Sequence, residues 1–137
     1  MRTMPRTHFE DGERVSENWS TVFRCLSAEP RRQLVVSLLD APSDESVPLP
    51  ESAAMPNGPA DPVLLRRALH HVHLPLLAEN EFVTWDADPL VAARGPRFDE
   101  VGVVFEALHS AASSVPDSLV VGCRRLEAER QDSGDLP

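Results

Sequence analysis

The chain has 137 residues, 42% of them hydrophobic, and a formal net charge of −9. That length suits one domain with tails around a modest core, and the charge speaks to solubility and association rather than to fold. No apolar run approaches the roughly 20 residues of a membrane span, the N-terminus lacks a signal-peptide core, and Cys25 and Cys123 lack paired-ligand spacing, so a soluble cytoplasmic protein with reduced thiols is expected.

All 13 basic side chains are arginine, against 22 carboxylates, and isoleucine is absent. An acid-rich, lysine-free chain fits a cytoplasm with very high salt, where carboxylates keep the surface hydrated. A GC-rich genome would leave the same bias.

Residues 1–15 are polar and of mixed charge, which predicts a disordered arm. In "ENWSTVFRCLS", Trp19, Val22, Phe23 and Leu26 recur as one buried helical stripe. A second helix follows in "AEPRRQLVVSLLD", with Pro30 in its first turn and Leu34, Val35, Leu38 and Leu39 on its apolar face. Residues 40–60 hold five prolines and a glycine, so a loop is expected, with at most a short helix around Pro50 to Met55.

Asp61 and Pro62 then open a helix as N-cap and first helical residue. Its apolar face reads Leu65, Ala68, Leu69, Val72 and Leu76, with Arg66, His70 and His73 on another face and Arg67 and His71 alongside. Pro75 should bend it, and Asn80 should supply the left-handed residue that closes it. "FVTWD", "ADP" and "LVAAR" read as strand, turn and returning strand, a two-stranded β-wing.

Beyond the wing, Val101, Val104, Phe105 and Leu108 form another stripe, and "PDSLVVGCRRLEAERQ" suggests a last helix with Leu119, Cys123 and Leu126 on one side. The domain plan is therefore an arm over 1–15, a winged helix-turn-helix domain over 16–98, a C-terminal helical extension over 99–130 that could dimerise, and a disordered tail over 131–137. The fold class is mainly α (α+β), with three to four helices, a two-stranded wing and a C-terminal helix.

"VFRCLSAEPRRQLVVSLLD" resembles the opening of arsenic-repressor-type winged helix-turn-helix domains. "LRRALHHVHLPLLAENEFVTWD" resembles small haloarchaeal winged-helix domains of uncharacterised function, in which a "LHHVHLPLL" core precedes the wing. The likeness spans roughly residues 17 to 93. It implies a DNA-binding transcription regulator with residues 62–79 as recognition helix, and a homodimer paired through terminal helices. Metal-sensing relatives carry clustered cysteines on these helices; this chain has none there, so their sensing chemistry does not transfer.

The residues point the same way. Pro62 to Ala78 is a 17-residue run with two arginines, three histidines and no acid, in a chain with 22 acids. Arg66, Arg67, His70, His71 and His73 are candidates to meet phosphates and base edges, and Arg94 and Arg97, in acid-free "PLVAARGPRF", to reach DNA from the wing. Arg31 and Arg32 could touch phosphate or simply offset nearby carboxylates. A bland alternative is a solvated helix face and an ordinary turn.

His70 and His73 could share a cation, but a closed zinc site wants four ligands, so no metal and no cofactor are expected. No phosphate-cradling loop, nucleophile elbow or zinc-protease helix is present, so the reading is not an enzyme. No small-molecule ligand can be inferred. The competing reading is a winged-helix module that binds protein and never meets DNA.

Overall fold

The computed structural model describes residues 8–55, 61–120 and 124–134. Helix α1 (His8–Leu26) and helix α2 (Glu29–Asp40) are followed by a short strand β1 (Val47–Pro48) and a 3-10 turn (Glu51–Ala53). Helix α3 (Pro62–Ala68), a π-helical segment (Leu69–His73) and helix α4 (Leu74–Glu79) run on as one rod. Strands β2 (Val83–Ala87) and β3 (Leu90–Arg94), helix α5 (Phe98–Ser110), a 3-10 turn (Ala112–Ser114), and helices α6 (Asp117–Val120) and α7 (Arg124–Gly134) complete the order. The fold is mainly helical with one small antiparallel sheet, an α+β arrangement.

The sheet has three strands in the order β1-β3-β2, one more than the expected wing. Val47 pairs with Ala92, and Trp85 also pairs with Ala92 from the other side. Alternation therefore puts Val47, Val83, Trp85, Leu90, Ala92 and Arg94 on one face. The buried Val47, Val83, Leu90 and Ala92 mark it as the core face. Leu34, Val35 and Leu38 of α2, Leu69, Leu74 and Leu77 of the rod, and Phe98, Val101 and Phe105 of α5 fill the same core.

The rod's inward face differs from the periodic expectation, and Pro75 is the reason. Proline has no N–H to bond the carbonyl of His71, and the backbone relaxes upstream: Leu74 N–H bonds the carbonyl of Leu69, five residues back. One extra residue enters that turn. The buried row therefore steps from Leu69 to Leu74 to Leu77, while Val72 faces solvent at 53% exposure. Leu65, Ala68 and Leu76 are only half-buried.

Rod closure shifts by one position too. Asn80 Nδ2 donates to the carbonyl of Leu76 at 2.9 Å, but the left-handed residue is Glu81, at φ 62°. Glu81 and Phe82 then meet the far end of the hairpin: Gly95 N–H donates to Phe82 and Arg97 N–H to Glu81. A Cβ on Gly95 would lie 2.5 Å from the Glu81 carbonyl oxygen, so this crossing requires glycine.

Further expectations change. Residues 8–15, expected in the arm, belong to α1. On α1 from Asp11 onward the buried residues are Val22 and Cys25; Trp19 and Phe23 are 49% and 58% exposed. On α5, Val101 and Phe105 are buried as expected, but Leu108 is half exposed and Phe98 joins the core instead. Leu119 faces solvent, Val120 is buried, and Cys123 lies outside the described residues. The C-terminal helix reaches Gly134, into the stretch expected to be a tail.

Candidate nucleic-acid interface

Asp61 starts the rod as its sequence suggests. Its Oδ1 accepts from Val63 N–H at 3.0 Å and Leu64 N–H at 3.4 Å, satisfying two donors that no helical carbonyl can reach. No residue of α3 is buried. The first two turns of the rod thus bury no side chain fully, with Leu65 half-buried against the core, and the rod's fully buried anchors lie in the π-helical segment and α4.

On those turns Arg66 and Arg67 are exposed, and neither is ion-paired among the described residues. His70 and His71 are exposed as well. His70 is held: its ring meets Trp85 and His71 edge-on, each with centroids 5.2 Å apart. Trp85 comes from the core-face row of β2, so the hairpin fixes one imidazole while the guanidinium groups keep their freedom. Four donors share an outward flank, with no carboxylate on the rod from Pro62 to Ala78.

His73 does not join them. Its Nδ1 lies 2.8 Å from an NH group of Arg31. Arginine only donates, so Nδ1 accepts and the ring is neutral with its proton on Nε2. Burial first, and the neighbouring Arg31 cation second, hold its pKa below the ordinary value. His73 is an anchor turned into the molecule.

Arg31 itself is 6% exposed. Its Nε donates to the carbonyl of Cys25 at 2.9 Å, and NH2 donates to the carbonyl of Arg24 at 2.8 Å and to Ser27 Oγ at 3.0 Å. Arg32 donates to the carbonyl of Leu26 and pairs with Glu29, both at 2.6 Å. The two arginines cap the open C-terminal carbonyls of α1, where a positive charge is favoured by the helix dipole.

Arg94 and Arg97 are also drawn inward, against the expectation that both reach out from the wing. Strand alternation puts Arg94 in the core-face row, where Nε and NH2 donate to the carbonyl of Leu38 at 3.2 and 2.9 Å. Its guanidinium lies 5.0 Å from the centroid of Phe98. Arg94 thus closes the end of α2. Arg97 pairs with Glu100 at 2.8 Å, donates to Asn18 Oδ1 at 2.9 Å, and lies over Phe82. The hairpin instead exposes Asp86, near the end of β2, and Asp88, in the turn.

Among the described residues no group of three or more His, Cys, Asp or Glu is placed to hold a metal ion. Cys25 is buried, and burial pushes its thiol up to about 12, so it packs as a small apolar residue. Among the same residues no helix is long and apolar enough to cross a membrane. Compared with protein families, curated proteins and solved structures, the chain matches none.

Sequence reasoning missed the anchors more than the outward flank. Arg31, His73 and Arg94 owe their inward positions to helix-end carbonyls, and no local pattern says which carbonyl lies within reach. The exception is the short α1–α2 joint, since a helix that begins two residues after another ends leaves its first-turn arginines beside open carbonyls.

Proposed function

We propose that the protein is a DNA-binding transcription regulator of winged helix-turn-helix type, acting by occupying an operator and performing no chemistry. One observation supports this above the rest: α3, with no fully buried residue, and the π-helical segment after it carry Arg66, Arg67, His70 and His71 exposed, with no carboxylate between them. A helix is the element that fits the major groove, and its exposed guanidinium groups suit phosphate oxygens and guanine edges. The order α2, β1, 3-10 turn, rod, β2, β3 is compatible with a winged helix in which the 3-10 turn stands where the first helix of the helix-turn-helix would lie.

In this reading the hairpin positions and does not grip. Asp86 and Asp88 repel phosphate, and the hairpin contributes by setting His70 against Trp85. Few free cations face DNA, so counterion release gives little affinity, least of all in a salt-filled cytoplasm. Shape, hydration and base contacts from the rod supply the rest.

Chromatin immunoprecipitation in the native host tests this, with Arg66→Glu/Arg67→Glu beside the unaltered chain. Discrete enrichment that drops at least tenfold in the variant is the expected result. Equal profiles for the two proteins would overturn the assignment. A second reading has its own support: Val63, Leu64 and Val72 are 65%, 57% and 53% exposed beside these cations, and the nearby hairpin is acidic. That surface would suit a protein partner. Selection from purified genomic fragments by the purified protein separates the two, since a protein-binding module enriches no specific sequence there.

A further inference from the structure

Helix α5 has a second face that the core does not use. Val103, Glu106, Ala107 and Ser110, spaced i, i+3, i+4, i+7, are all exposed on it. With Glu129 of α7 they line a cleft of about 500 Å³, a volume suited to a small molecule. His109 lines the same cleft but is only 5% exposed. Its Nδ1 lies 2.9 Å from the carbonyl of Phe105, one turn back, and its ring meets Phe105 edge-on with centroids 4.4 Å apart. A carbonyl only accepts, so Nδ1 carries the hydrogen, and in the neutral ring Nε2 is a bare lone pair. That nitrogen has no hydrogen-bond partner among the described residues. A buried polar atom left unpaired is costly, so the site calls for a donor from outside the chain.

The other polar groups of the cleft call for the same chemistry. Glu106 and Glu129 bring carboxylates, which accept and do not donate. Ser110 Oγ donates to the carbonyl of Ala107 at 3.0 Å and offers the cleft its lone pairs. Arg130, beside Glu129, is engaged elsewhere: it donates to the carbonyls of Ala112 and Val115 and pairs with Asp117. Val103 and Ala107 supply an apolar strip along the wall.

We propose that the cleft between α5 and α7 binds a small aliphatic ammonium ion. Its N–H groups are shared between His109 Nε2 and the Glu106 carboxylate, and its alkyl chain lies on Val103 and Ala107. A bare metal ion fits less well, since no group of three His, Cys, Asp or Glu among the described residues is placed to hold one. A quaternary ammonium ion brings charge but not the hydrogen that Nε2 lacks. The cleft is formed by elements other than the rod and the hairpin, so the proposal stands or falls independently of DNA binding.

Long-range proton–nitrogen spectra of the imidazoles test it, on the full chain at low ionic strength with n-butylammonium chloride as the probe. The His109 Nε2 resonance, assigned through the contact of its ring with Phe105, should move and saturate with a Kd on the order of 1 mM. Tetramethylammonium chloride at the same concentrations should leave it in place. Glu106→Gln, at an exposed position, should weaken butylammonium binding by roughly fivefold or more. Ala107→Phe, which fills the cleft from another exposed position, should abolish the response with unchanged far-ultraviolet circular dichroism. An unmoved Nε2, an equal response to the two cations, unchanged affinity in Glu106→Gln, or binding that survives Ala107→Phe would each overturn the proposal.

Discussion

Arg31 and Arg66 begin as similar letters, each followed by a second arginine near the start of a helix, and end in opposite roles. Arg31 is almost wholly enclosed and spends its donors on two carbonyls, a hydroxyl and an imidazole. Arg66 is exposed to solvent with no such acceptor among the described residues. The difference lies in what precedes each pair. α1 ends two residues before α2 begins and leaves unpaired carbonyls within reach of Arg31 and Arg32, whereas the residue before α3 is Asp61, which faces N–H groups that arginine cannot satisfy. An arginine at a helix start is drawn inward when another helix has just ended beside it.

Replacing the enclosed member should produce the larger response. Arg31→Met takes the guanidinium donors from the carbonyl of Cys25 and the Nδ1 of His73, while the carbonyl of Arg24 keeps Ser27, and should cost about 3 kcal/mol. At this chain length that is a fall on the order of 10 °C in Tm, readable by circular dichroism. A loss below about 1 kcal/mol would mean that the joint is not held by Arg31.

The Arg31–His73 contact gives the intermediate effect, through pH. The folded pKa of His73 is held below its ordinary value of 6.5, so the unfolded chain takes up the proton first. The contribution is complete above 6.5 and is lost as pH falls through the lower folded value. His73→Gln, which can still accept from Arg31 but does not titrate, should flatten that part of the stability profile. The same acid-side slope in both proteins would assign it to carboxylates instead.

The smallest effect belongs to the exposed pair. Arg66→Ala/Arg67→Ala should leave stability within about 0.5 kcal/mol, because neither side chain covers the core or meets a partner. A clear loss in urea unfolding would show that the pair packs on the body and is unavailable to a ligand.

Local chemistry was legible wherever one residue sets the backbone. Asp61 and Pro62 fixed the start of the rod, alternation fixed both hairpin strands, and Leu34, Val35 and Leu38 faced inward as spaced. Global packing was less so. Periodicity marked a row on α1 but not which edge the body would cover, so Trp19 and Phe23 were expected inside and lie outside. Val72 was expected inside because a uniform 3.6-residue period was applied across Pro75. Of the candidate contacts, Arg66, Arg67, His70 and His71 face out, while His73, Arg94 and Arg97 follow carbonyls and a carboxylate that come from distant parts of the chain.

The widened turn at Leu69–His73 acts as a phase setter for everything N-terminal to it. Each helical residue advances the side chains by roughly 100°, and α4 is clamped by the core. With every residue kept, tightening that turn into an unbroken α-helix would swing Arg66 and Arg67 around the axis by about that angle. The aim of the guanidinium groups is thus encoded downstream, in the proline that forces the extra step.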